Sequence, residues 1–244
     1  MGRLTSYPEP FVLHASLLGS PLLTRYYQAE RNKIGGEVYW VEDPTLSELA
    51  DVVRSANDTR QVVRLRSIPA LPEDGATVAH ELAHLVLDWQ GFPSVAFGNP
   101  EVQSVAAALS SCLQDPIVDQ HLCAYGLDLV DKYTREAAQS RASISGITDP
   151  PEDHIGIALW ITNIASNIID WTIASRVGVE VQSDFETWLA SRFPQLAANG
   201  RLLAERMLLL TFAEPATMSR AFGEAVAMLH LEGLMKVSQG RRTA

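Results

Sequence analysis

His80, Glu81 and His84 fall within the stretch Ala79-His80-Glu81-Leu82-Ala83-His84-Leu85-Val86 of a 244-residue chain. The pattern is H-E-x-x-H. If the stretch is helical, the two imidazoles share a face, because residues four apart are neighbours on a helix surface. Two imidazoles so placed can hold one zinc ion, with the intervening carboxylate beside it as a general base. The flanking residues predict that helix. Thr77, Val78, Ala79, Leu82, Ala83, Leu85, Val86, Leu87 and Trp89 make 76–90 apolar nearly all round, the pattern of a buried helix. Two histidines and a glutamate on a buried helix are costly unless paired, and one metal ion satisfies all three.

A catalytic zinc site takes three protein ligands and a water. The segment Ser111–Asp119 offers the third. Asp115 stands 31 residues after His84, and Asp119 is four further on. The two acids share a face if one helix continues through Pro116. One would then ligate zinc, and the other would accept the free ring N–H of a histidine ligand and fix its tautomer. If Pro116 instead opens a new helix, Asp115 becomes its N-cap and Asp119 the ligand.

H-E-L-A-H on a helix that follows a strand, with acid-x-x-x-acid on a later helix, resembles the zincin metallopeptidases over about residues 60–125. Within them it is most similar to the gluzincin type. That resemblance implies His80 and His84 as zinc ligands, Glu81 as catalytic base, Asp115 as third ligand and Asp119 as the partner of a histidine. The chain departs from the gluzincin pattern in having Asp for the usual Glu, and in a longer separation from His84. The metzincin continuation is absent, with Leu87 and Gln90 at the corresponding positions.

The implied function is zinc-dependent hydrolysis of an amide bond in a peptide or protein substrate. Zinc would acidify a water, Glu81 would take its proton, and a further donor would steady the oxyanion. Tyr125, Tyr133, His121 and His154 are the candidates for that donor. His121 lies about 200° round the helix from Asp119 and is expected to face away from the metal. The substrate is expected to add along the strand predicted at 61–66, as an edge-strand peptide does. Two other classes stay open: a regulatory or binding protein with a structural metal, and a specialised hydrolase of a small amide or ester.

The elements that must position these residues come next. Residues 1–36 are rich in Pro and Gly and predict an irregular arm. A strand is expected at 37–41. Asp43-Pro44-Thr45 is expected to open a helix, with Thr45 and Glu48 as a capping box and Leu46, Leu49, Val52 and Val53 as its stripe. The strand at 61–66 and a Pro-rich loop precede the site helix, which Gly91 caps and Pro93 ends. Beyond residue 95 helices are expected near 101–114, 116–125, 128–141, 153–177, 184–192, 198–212 and 216–237. The fold class is therefore α+β and predominantly helical. A single domain over 1–244 is expected: the arm at 1–36, the sheet and metal-site helices at 37–125, and a helical body at 126–244.

Other features point to packing. Asn163, Ser166, Asn167 and Asp170 form a polar stripe, read as a hydrogen-bonding face in preference to a pocket lining. The stretch Met207–Leu210 and residues Met218, Phe222, Val226, Met228 and Leu229 read as core. Cys112 and Cys123 sit about 16 Å apart along one expected helix, too far to bridge. They are expected to be reduced thiols, which suits a cytoplasmic location. The net charge of −10 and pI of about 5.0, without a Lys/Arg cluster, argue against nucleic acid or an anionic membrane as partner. No apolar run reaches transmembrane length, and the N-terminus lacks the layout of a signal peptide. Oligomeric state is not readable.

Overall fold

The computed structural model describes residues 5–9, 20–46, 50–53, 61–67, 75–130, 133–134, 149–176, 184–210 and 214–240. They pack as two compact units. The first holds the described residues up to Gly91 together with Val118–Leu127, and the second holds Phe92–Ile117 and the described residues from Asp128 to Gly240. The fold is α+β and mainly helical, as composition and periodicity predict.

The first unit is built on a four-stranded sheet in the order β1-β2-β4-β3. Strand β1 (Thr5–Tyr7) runs antiparallel to β2 (Val38–Glu42), which pairs in parallel with β4 (Gln61–Leu65). Strand β3 (Ala50–Val53) runs antiparallel to β4 on the far edge. Alternation decides the faces: Val38 and Trp40 on β2, and Val63 and Leu65 on β4, are buried. Helix α1 (Pro21–Arg31) starts where Ser20 Oγ accepts from Leu23 N–H, with Pro21 in its first turn.

Three expectations fail here. Residues 1–36 are not all irregular, since β1 and α1 lie within them. The helix expected after Thr45 is absent, and Ala50–Val53 is a strand because Val52 and Val53 pair across to Val63 and Val62. Leu49 and Glu48, on which that expectation also rested, lie outside the described residues. Strand β4 is central and paired on both sides, so no peptide can add along it.

Helix α2 (Gly75–Trp89) carries the motif and packs against α1 and β3. Leu82, Ala83, Leu85 and Val86 are fully buried; each large apolar side chain so buried is worth about 1.5–3 kcal/mol. The helix ends as predicted. Gly91 takes φ +86°, the left-handed conformation that glycine adopts without strain, and its N–H donates to Asp88 C=O.

Among its described residues the second unit is mainly helical, with one strand pair, β5 (Ser94–Phe97) with β6 (Met235–Ser238). Both strands were missed, and the helix expected over 216–237 stops at Met228. Helices α4 (His154–Arg176), α5 (Asp184–Arg192), α6 (Pro194–Leu209) and α7 (Pro215–Met228) make up most of its body. Helices α4 and α6 meet at Gly200, where a Cβ would strike the side chain of Ile164. Two hydrogen bonds run along the polar stripe on α4: Asn167 Nδ2 donates to Asn163 C=O at 2.8 Å, and Ser166 Oγ to Asp170 at 3.4 Å. Most of the helix expected over 128–141 lies outside the described residues. Among the described residues no helix is long and apolar enough to cross a membrane.

Helix α3 (Gln103–Ala124) is one unbroken helix with Pro116 inside it. Two helices with a break near Asp115 were expected. Proline removes one backbone hydrogen bond and crowds the preceding turn. Burial outweighs that cost, since Leu109, Cys112, Leu113, Val118 and Leu122 have no exposed surface at all.

Candidate metal centre

The helical period of α2 brings His80 and His84 together. Their Nε2 atoms stand 3.1 Å apart, with the rings inclined at 76°. Two nitrogens bound tetrahedrally to one zinc at about 2.0–2.1 Å would be about 3.3 Å apart. The observed separation is close to that value, and it is also hydrogen-bond distance between the two rings.

The second nitrogen of His80 is also placed. Nδ1 lies 3.5 Å from Asp119 Oδ1, and the Asp119 side chain is only 3% exposed. A carboxylate there favours the proton on Nδ1 and leaves the Nε2 lone pair for a metal.

Asp115 is one turn earlier on the same helix. Its carboxylate and one ring nitrogen of each histidine lie within 4.8 Å of one another. His80, His84 and Asp115 thus form a group able to hold a metal ion. Because α3 runs on through Pro116, Asp115 is inside the helix and not its N-cap. The neighbouring Gln114, 2% exposed, donates from Nε2 to Pro93 C=O at 2.8 Å, which ties this turn of α3 to the start of the second unit.

Glu81 is buried, 8% exposed, and lies about 60° round α2 from His84. The donors considered for an oxyanion separate clearly. His121 and Tyr125 turn to Glu30 on α1: the Tyr125 hydroxyl donates to Glu30 Oε1, and His121 Nε2 lies 3.4 Å from the same oxygen. Its hydrogen bond to Glu30, with some burial, pushes the Tyr125 hydroxyl up to about 12. His121 faces away from the metal ligands, as its helical angle predicts. His154 is exposed and approaches His230 C=O at 3.3 Å. Tyr133 is buried.

Burial, then the charges of Asp170 and Asp115, raise the thiol of Cys112, one turn before Asp115, well above the usual range. Sequence reasoning missed Glu30 as a partner of α3. The only local signal was an acid in the last turn of a helix, where the dipole disfavours it.

Neither the models of known families, nor the curated proteins, nor the solved structures compared with the chain gave a match.

Proposed function

We propose that the chain is a zinc-dependent hydrolase, and specifically a metallopeptidase of zincin type that cleaves an amide bond in a peptide. The observation that supports this most is the convergence of His80 Nε2 and His84 Nε2 at 3.1 Å, with a carboxylate within reach and Glu81 adjacent. Two imidazoles and one carboxylate are a familiar donor set for catalytic zinc, which leaves a fourth position for water or substrate.

A zinc ion held there would supply Lewis acidity, acidifying a water and polarising a carbonyl. The residues of the chain do the rest. His80, His84 and Asp115 bind and orient. Asp119 holds the His80 ring so that Nε2 stays available. The Glu81 carboxylate takes a proton from the attacking water as the new C–O bond forms, and returns it to the amine nitrogen as the C–N bond breaks. An extended substrate would have to pair with β1 or β3, the two edges of the sheet, since β4 has none free.

The test combines metal analysis with one substitution. Purified protein should carry about one zinc per chain, and Glu81→Gln should keep that zinc while hydrolysis of a peptide library falls by about 10²–10⁴-fold. A Glu81→Gln variant as active as the wild type would remove Glu81 as the base. Stoichiometric zinc retained in His80→Ala would overturn the site.

A further inference from the structure

Glu30 is a carboxylate with no exposed surface. It also lies near the C-terminal end of α1, where the helix dipole opposes a negative charge. Both circumstances are costly, so what the carboxylate holds must justify its place. Its Oε1 collects Lys33 Nζ at 2.7 Å, the Tyr125 hydroxyl, and His121 Nε2 at 3.4 Å. Tyr26, fully buried one turn earlier on α1, stands edge-on to the rings of Tyr125 and His121 at 5.0 and 5.9 Å. Four of these contacts end on the last turn of α3 and the residue that follows it.

His121 lies in the last turn of α3, and Tyr125 is the first residue past its end, where its N–H donates to Leu122 C=O. Asp119 points about 200° away from His121, to His80 on α2. The end of α3 is therefore held from opposite sides, by Glu30 on α1 and by His80 on α2. Opposed anchors fix the rotation of a helix about its axis. At a side-chain radius of about 5–6 Å, a rotation of about 10° moves a carboxylate by about 1 Å.

We propose that Glu30 is a positioning residue for the metal centre: through His121 and Tyr125 it sets the rotation of α3 that aims Asp119 at His80, and with it Asp115 one turn earlier. This rests on the reading of His80, His84 and Asp115 as metal ligands.

The test measures zinc dissociation constants of the full chain by chelator competition, starting with the wild type. Glu30→Gln, which keeps the shape and removes the charge, should weaken zinc by up to about tenfold, the lower end of the loss for a group bonded directly to a ligand. Tyr125→Phe should weaken it less. The double variant should weaken zinc by less than the two single effects combined, because both changes act on one shared contact. The cobalt-loaded Glu30→Gln protein should show shifted visible bands. Val63→Ala, a cavity in the sheet, is the control: it should lower the unfolding temperature and leave zinc affinity alone. A Glu30→Gln variant with wild-type affinity and cobalt spectrum overturns the proposal, as does a Val63→Ala variant that loses zinc equally. If Glu30→Gln does not fold, an unchanged affinity in Tyr125→Phe overturns it instead. A wild-type chain that binds no zinc fails the metal reading itself, before any variant is compared.

Discussion

His80 Nδ1 lies 3.5 Å from Asp119 Oδ1, while the Nε2 of the same ring meets His84 Nε2 at 3.1 Å. One histidine thus has both nitrogens committed, one to a neighbouring helix and one to the point where a metal would sit. The two aspartates of α3 should therefore differ in what their loss does. Asp119→Asn removes an orienting charge and is expected to weaken zinc about 10–100-fold. Asp115→Ala removes a ligand and should abolish stoichiometric zinc. Competition with a chelator of known affinity ranks the two variants, and the reverse order would make Asp119 the ligand.

Metal binding and folding should be linked. A ligand that binds only the folded state at about 100 times its dissociation constant adds about 2.7 kcal/mol of stability. Zinc should raise the unfolding temperature of the wild type, and a chelator should lower it again. His84→Ala should unfold at one temperature in either condition. A zinc-dependent rise that persists in His84→Ala would place the ion elsewhere.

The sheet carries an acid-sensitive tie. Thr45 donates its hydroxyl and its N–H to Asp43, and Arg64 reaches Asp43 at 3.1 Å and Asp51 at 2.8 Å. The bonds from Thr45, helped by Arg64, hold the Asp43 carboxyl below its ordinary 3.8. A carboxyl lowered on folding contributes stability that is present above its ordinary value and is lost as pH falls through the lowered one. Asp43→Asn should thus be less stable than the wild type at neutral pH, and the gap should close below pH 3.8. Thermal unfolding of both proteins across that range measures it, and a gap independent of pH would refute the charge-based account.

In the second unit, Gly200→Ala should destabilise. A methyl group there meets the Ile164 side chain where α4 and α6 cross. Overpacking of this kind typically costs about 1–3 kcal/mol. Urea unfolding would report it, and an unchanged midpoint would refute the clash with the Ile164 Cγ2 and Cβ atoms.

What was legible in the sequence follows the range of the forces involved. The pairing of His80 with His84, and of Asp115 with Asp119, is written in helical spacing; the structure brings the two histidines together as that spacing requires and sets Asp119 3.5 Å from His80. The end of α2 at Gly91 is local too. The misses are non-local. Thr45 and Glu48 make a good helix start, but the pairing of Val52 with Val63 decided the matter. Strands β5 and β6 depend on residues more than a hundred positions away. Pro116 reads as a stop until its burial is known. Glu30 was invisible because its partner, Tyr125, is 95 residues distant.

The unbroken passage of α3 through Pro116 has a consequence for how this segment can vary. Asp115 and Asp119 are aimed by count, not by contact with each other. Exchanging Ile117 for another apolar residue leaves their alignment intact. Deleting it, or inserting one residue beside it, turns one aspartate about 100° from the other and also changes the offset of Asp115 from Glu30's grip on His121. Between Asp115 and Tyr125, then, exchanges that spare Asp115, Asp119, His121 and Tyr125 keep the register, and single-codon insertions or deletions do not.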